Sequence, residues 1–385
     1  MSKSSVLLFQ RITPSYRVPV FRRLHEELQV VLCYSDATVN GVASHLHGIE
    51  FQNELLPGGF FLGRSNLFSQ KILSVLRKHR PSVVICEYAF GNFTFWKLLL
   101  LRPFMGYRLI GWSHGIKNRD MVLDEKSMHF KTTGFFLKRL DAVLLYSEQR
   151  RQRLVERMPS LAEKTFVAHN TLDTTLHTEV YQRYQERNRD ALKRELGIST
   201  RFTLCFLGRL RDSKRIDLIL EIWEKLRASH DIGLVLIGDG PERQRLEKYR
   251  EEPGLFAPGA IHDVEESGKY LAACDAMIMP GYVGLSIVHA FAFGLPMITC
   301  RSTKKGPFHS PEIEYLKDGV NGFFCDSDAD TLAGCVERLI LDSDLLTKMK
   351  QNALDTVQNE ANVDRMITGF SDAIEYVTGQ GKSTS

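Results

Sequence analysis

Short apolar runs rich in Val, Ile and Leu alternate with helical patterns along the whole chain, and this alternation restricts the fold more than any other feature. Strands separated by a helix's worth of residues cannot pair as hairpins; they return in parallel, with the helices crossing the faces of the sheet. In the first half, Val6–Gln10, Val30–Tyr34, Val83–Cys86, Arg108–Gly111, Ala142–Tyr146 and Phe166–His169 read as strands. In the second half, Thr203–Leu207, Leu234–Ile237, Ala276–Met279, Met297–Cys300 and Gly322–Cys325 do so. At 385 residues the chain exceeds one ordinary core, so two α/β domains are expected, over 1–175 and 176–360. The charge-dense stretch Tyr181–Glu195 reads as a helix leading into the second domain. A closing helix over 361–378 is placed to pack back on the first domain, and 379–385 reads as a disordered tail.

Apolar content of 43% and charge of 25% belong to a soluble globular protein. The net charge of +4 conceals a division: residues 1–170 carry 24 Lys and Arg against 13 Asp and Glu, while the remainder is acidic. A basic half fits nucleic acid, anionic lipid or an anionic substrate, and without a nucleic-acid-binding motif nucleic acid is not expected as a partner. The seven cysteines have no close pair in sequence and sit mostly in apolar runs, which reads as reduced thiols of a cytoplasmic protein. Residues 1–10 enter a strand without a basic leader, and no apolar run approaches the roughly 18 residues of a membrane span.

The segments that carry chemistry lie between Phe206 and Thr299. FLGRLRDSKRID, LVLIGDGPER and MPGYVGLSIVHAFAFGLPMIT each place glycine or a cation where a strand ends. Ligands of an open α/β sheet bind at the carboxyl ends of its strands, so such groups suit a phosphorylated ligand. Arg209 and Lys214 follow a strand and precede a helix near Ile216, a placement that suits a diphosphate, and Gly208 lets the backbone come close. The plainer reading of the two cations is a solvated loop. Gly281 and Gly284 end another strand and open a helix over Leu285–Phe293, whose first amides, including that of Leu285, form a second phosphate site. The GDGP turn, Gly238–Pro241, reads as structural. Neither G-x-G-x-x-G after the first strand nor a Walker motif occurs, so no dinucleotide cofactor and no ATP-driven phosphoryl transfer are expected.

GRL-x3-K-x2-D, V-L-I-G-D-G-P, A-F-A-x-G-x-P-M-I and PEIEYLKDGVNGF, in that order, resemble retaining glycosyltransferases of the GT-B fold, glycosyltransferase family 4. The resemblance covers about residues 140–345 and implies two Rossmann-like parallel-sheet domains facing across a cleft. It implies that Arg209 and Lys214 hold the donor diphosphate and that His114, in GWSHGIK, lies near the donor sugar. AHNTLD resembles the family's domain-linking turn, with Asn170 and Asp173 shaping the hinge. Where the family has two glutamates eight positions apart, this chain has Gly281 and His289. A neutral His289 still bonds a ribose hydroxyl, and Glu312 is the substitute carboxylate near the sugar. Lys117 and Arg119 meet an anionic acceptor.

The DxD strings Asp326–Asp328, Asp328–Asp330 and Asp342–Asp344 precede helical runs and read as N-caps, so no metal is expected. Arg64–Arg80, Phe93–Met105 and Lys131–Leu140 are basic, amphipathic or aromatic, a surface type that lies on anionic lipid, although the same segments also suit core-facing helices. The expected function is transfer of a sugar from a nucleoside-diphosphate sugar to a glycan or lipid-linked acceptor, in polysaccharide or lipopolysaccharide synthesis at the inner face of the cytoplasmic membrane. No cofactor is required. Two alternatives stand beside it: a nucleotide-sugar epimerase of the same fold, and a catalytically silent glycan-binding or scaffold protein.

Overall fold

A computed structural model describes residues 5–39, 42–60, 67–116, 119–120, 128–249 and 251–379, without the side chains of residues 128, 129 and 131. Contacts divide the chain into one unit of Met1–Asp173 with Val363–Ser385, and a second of Thr174–Asn362.

The first unit is built on a seven-stranded sheet ordered β7-β6-β5-β4-β1-β2-β3. These strands are β1 Val6–Phe9, β2 Val30–Tyr34, β3 Asn53–Leu55, β4 Val83–Glu87, β5 Arg108–Ser113, β6 Ala142–Leu145 and β7 Thr165–Val167. Every pairing is parallel. All residues of β1 and β6 are buried, which is why their sequences are continuously apolar and do not alternate with polar residues. Period-two geometry then sends Leu7 and Phe9 to one face, beside Phe95 and Leu98 of helix α2, Phe93–Met105. Val6 and Leu8 go to the other face. There they meet Phe21 and Leu24 of α1, Val18–Leu28, and Met366 and Phe370 of α5, Val363–Thr378. The Phe370 ring stands edge-on to Trp112 of β5 at 5.0 Å.

The second unit carries a six-stranded parallel sheet ordered β10-β9-β8-β11-β12-β13. Its strands are β8 Phe202–Leu207, β9 Ile232–Ile237, β10 Leu255–Gly259, β11 Ala276–Ile278, β12 Met297–Cys300 and β13 Gly322–Cys325. Helix α3, Ile216–Arg227, buries Ile216, Ile219, Leu220 and Trp223. Helix α4, Ser286–Ala292, follows β11.

Several expectations are corrected. β3 and β10 were not foreseen: both are sheet edges, and β10 carries Pro258, which only an edge tolerates. The single helix read over Tyr181–Glu195 is two, Thr175–Gln185 and Arg189–Glu195, because Asn188 caps the second by accepting the Ala191 N–H at 3.1 Å. The N-cap reading holds for Asp328 and Asp342, which accept from the Thr331 and Leu345 N–H groups at 2.8 Å each.

In each sheet the first strand lies between the second and the fourth, so the crossovers change direction between β1 and β4 and again between β8 and β11. Loops leaving the carboxyl ends of those strands diverge and open a crevice. Phe370→Ala removes a fully buried ring from the first unit and is expected to lose about 3–5 kcal/mol in urea denaturation, whereas exposed Asp372→Ala stays within about 0.5 kcal/mol.

Candidate active site

At the switch point of the second unit, the loop after β8 meets the loop after β11. Tyr282 N–H donates to the Ser213 carbonyl at 2.8 Å, and Lys214 Nζ donates to the Tyr282 carbonyl at 2.6 Å. Lys214 also lies 5.2 Å from the centroid of the Tyr282 ring and 3.4 Å from Met279 Sδ, which accepts from Ser286 Oγ at 3.2 Å as well. Gly281 is required here by space: a Cβ on it would strike the Ser213 carbonyl and the Lys214 backbone. The GDGP turn seats the same loop from the other side. Gly208 and Leu210 N–H groups donate to the Ile237 and Asp239 carbonyls at 3.0 and 2.9 Å, and a Cβ on Gly238 would collide with the Gly208 carbonyl. Arg209, between those two anchors, is exposed and makes no ion pair among the described residues.

Burial pushes the Lys214 ammonium down to about 8, with Arg211 adding to the fall and Glu312 opposing it. Glu312, 3% exposed on the turn Pro311–Tyr315, is thus within the electrostatic reach of Lys214. The amides of Gly284, Leu285 and Ser286 donate to no protein group among the described residues. His309 and Ser310 were missed by sequence reasoning. His309 Nδ1 accepts the Val283 N–H at 3.1 Å, so its Nε2–H donates to the Cys300 carbonyl at 2.9 Å, and Ser310 Oγ meets Tyr282 Oη at 2.6 Å. Desolvation holds His309 below its usual pKa, which keeps that tautomer neutral.

His289 is half-buried, and its Nδ1 lies 2.8 Å from Nε2 of His177, a residue that sequence reasoning did not single out. Desolvation and the facing His177 lower its pKa to about 3, so this ring is neutral at physiological pH.

In the first unit His114 follows β5, and its ring lies 4.7 Å from that of Tyr146. The turn it sits on is held by the buried Arg150 guanidinium, which donates to the carbonyls of His114 and Ile116. Although the residue reaches the surface, desolvation of the ring, then the charges of Arg150 and Arg11, push its pKa well down and leave a neutral imidazole. Arg119 is exposed; Lys117 lies outside the described residues. A cavity of about 270 Å³ opens at this unit's own switch point, between the loops after β1 and β4. Arg11, Arg17, Glu87, Trp112 and Tyr146 line it, with Arg11 paired in two bonds to Glu87 at 2.6 and 2.8 Å. None of these five stands in a motif that marks it in the sequence.

Helix α2 exposes Phe93, Leu100 and Phe104, the last 85% exposed, on one stripe set by spacings of seven and four residues. Phe135, on the helix Met128–Leu137, is half exposed beneath the Arg139 guanidinium. Lys97 shares the face of the stripe, four residues from Phe93 and three from Leu100, whereas Arg102 and Arg108 pair with Asp141 at 2.9 and 3.3 Å. Residues 64–66 of the basic segment Arg64–Arg80 lie outside the described residues; the rest gives a short strand, Phe68–Gln70, and the helix Leu73–His79. Among the described residues no helix is long and apolar enough to cross a membrane.

The close approach at Gly281 gives a direct expectation. Gly281→Ala is destabilising by about 1–3 kcal/mol in chemical denaturation, because backbone and not a flexible side chain must give way. Gly284→Ala, whose Cβ would meet only ordinary contacts, leaves stability within about 1 kcal/mol.

Residues 188–356 match the family described as Glycosyl transferases group 1. The chain is 26% identical over 196 residues to N-acetyl-alpha-D-glucosaminyl L-malate synthase of Bacillus anthracis, covering 49% of each protein. It is 29% identical over 177 residues to a GDP-mannose-dependent alpha-mannosyltransferase of Corynebacterium glutamicum, covering 44% of this chain and 39% of that one. The chain spans about half the length of the curated relatives it matches. Among solved structures, Anabaena Alr3699/HepE in complex with UDP superposes with a TM-score of 0.70 at 15% identity, over 97% of this chain and 99% of that one. The chain therefore has the two-domain α/β fold of GT-B glycosyltransferases, and its second unit carries the region similar to glycosyl transferases group 1.

Proposed function

We propose that the protein is a glycosyltransferase that moves a sugar from a nucleoside-diphosphate sugar to a glycan or lipid-linked acceptor in cell-surface polysaccharide or lipopolysaccharide synthesis. One observation carries this reading. The switch point of the second unit gathers Lys214, exposed Arg209 and the open amides of Gly284, Leu285 and Ser286 at the carboxyl ends of β8 and β11, within the region that matches the family. Cations and main-chain N–H groups so placed stabilise a departing diphosphate without reorganising during the reaction. The names of the relatives, and the UDP bound by the Anabaena protein, support the same donor class.

In this proposal the reaction retains configuration. The acceptor hydroxyl attacks the face from which the diphosphate leaves, a diphosphate oxygen takes its proton, and no side-chain base is needed. Lys214 and Arg209 neutralise the leaving group, neutral His114 bonds the donor sugar, and Glu312 supplies the carboxylate beside it. His289, with Nδ1 committed to His177, offers Nε2 to a ribose hydroxyl. Gly281 supplies space and no side chain. The reaction is metal-independent, consistent with Asp328 and Asp342 being engaged as helix caps. The cavity of the first unit, with Arg119 and Lys117 on the same unit, serves the acceptor. The stripe of Phe93, Leu100 and Phe104 rests on anionic lipid at the cytoplasmic face of the membrane.

A thermal-shift series with UDP-, GDP-, ADP- and dTDP-sugars tests the donor site, since a ligand at a hundred times its Kd adds about 2.7 kcal/mol of stability. Arg209→Ala and Lys214→Ala are each expected to lower kcat about 10²–10³-fold, and chelation of divalent ions to leave the rate unchanged. No binding of any of the four donors by the intact protein would defeat the proposal. Incubation with labelled donor alone separates transfer from epimerisation, because rapid conversion to an epimer is the mark of an epimerase.

Nucleotide affinity should fall as pH rises through about 8, where free Lys214 loses its proton, and be constant below that. Lys214→Met should be weak and flat across the same range in calorimetry. Flotation with vesicles containing anionic lipid should retain the native protein, and Leu100→Asp with Phe104→Asp should release it.

A further inference from the structure

Two cysteines ten positions apart meet in space on the second unit. Cys325 ends β13 and is buried; Cys335, on the helix Ala329–Leu341, is half-buried, and the two Sγ atoms lie 2.7 Å apart, with both thiols free. That is closer than two unbonded sulfurs rest, and well under 1 Å of approach reaches the S–S bond length of about 2.05 Å. The surroundings distinguish the two thiols. Arg338 and Arg301 lie over the Phe323 and Phe324 rings at 4.7 and 5.8 Å, and Arg301 is ion-paired with Asp318 at 2.5 Å. The bond donated by Cys325 lowers the pKa of Cys335 against the opposing desolvation and Asp318, with Arg338 and Arg301 adding to the fall, while the same bond and burial push Cys325 up. A partly exposed sulfur whose thiolate is favoured by a neighbouring thiol, and which that second sulfur can reach, has the attributes of an oxidation-sensitive pair. The other cysteines are buried.

We propose that Cys325 and Cys335 form a reversible oxidation site whose co-reactant is a peroxide. The Cys335 thiolate attacks one peroxide oxygen, the O–O bond breaks, and the leaving hydroxide takes a proton to become water. Sulfur is oxidised to the sulfenic acid and the peroxide is reduced. The Cys325 sulfur then attacks Cys335 Sγ, the S–O bond breaks, and the thiol proton leaves with the hydroxyl as a second water. Two thiols and one hydrogen peroxide thus give one disulfide and two waters. The bond ties the end of β13 to the helix behind it. Beside it, the Arg301 N–H donates to the Cys325 carbonyl at 2.8 Å, and Arg301 begins the segment that ends in His309 and Ser310. This site does not depend on the proposed transfer activity.

The experiment is peptide mapping of the folded, full-length protein after a graded dose of hydrogen peroxide and alkylation. Trypsin cuts after Lys317 and Arg338, so one peptide, Asp318–Arg338, holds both cysteines. Before peroxide it should take up two alkyl groups; afterwards it should take up none and be lighter by two hydrogens, and dithiothreitol should restore both sites. In Cys325→Ser, peroxide should leave a sulfenic acid on Cys335 that dimedone traps. The native protein alone can overturn the proposal: both thiols of the peptide still open to alkylation after peroxide, or Cys335 carried to sulfinic acid without bridging, would each do so.

Discussion

The second unit depends on a main-chain clamp between two loops that leave neighbouring strands. Tyr282 is held twice by the loop after β8, its N–H by the Ser213 carbonyl and its own carbonyl by Lys214 Nζ. The clamp closes only because residue 281 has no side chain. A glycine in this position does not act through unusual dihedral freedom. It acts by letting two backbones come to a distance that any Cβ would prevent, and the ammonium of Lys214 then reaches a carbonyl that would otherwise be out of range.

The charge on Lys214 is consequently conditional. Burial favours the neutral amine, and Glu312 only partly offsets this. An arriving diphosphate would supply the missing counter-charge, so binding and protonation reinforce one another, as linkage requires. The same logic explains the neutral imidazoles: His289 and His309 lie near other positive or titratable groups and lose their protons to burial, which leaves them as directional hydrogen-bonding groups.

Strands buried on both faces were legible because they must be continuously apolar, and Val30–Tyr34 and Met297–Cys300 were read to the residue. Edge strands were legible only where they stay apolar: Gly322–Cys325, at one edge of the second sheet, was also read to the residue, whereas β3 and β10 were missed. β3 reads Asn-Glu-Leu and β10 contains a proline, so neither carries the pattern that burial imposes. Arg209 and Lys214 were legible as cations because they lie on the loop that follows a strand end. The carbonyl of Tyr282, the imidazole of His309 and the ring of His177 were not, since a main-chain acceptor has no sequence signature and each histidine's role depends on a partner far away in the chain. Arg11 and Glu87 share that difficulty: they are 76 positions apart and meet only because β1 and β4 are neighbours. The pairing of Cys325 with Cys335 needed the helix after β13 to fold back before ten intervening positions became a contact.

The missing glutamate at 281 can be understood from the same geometry. In the family this chain resembles, a carboxylate faces the donor sugar from that position, and its absence reads from sequence as the loss of a function. Space at 281 is instead taken up by the backbone of Ser213 and Lys214, so a glutamate there would break the clamp that places the lysine. Side-chain chemistry at 281 and a clamped Lys214 are mutually exclusive in this arrangement of loops. A chain committed to the clamp therefore carries no carboxylate at 281, and the carboxylate that acts on Lys214 is the buried Glu312, 31 positions further along the chain.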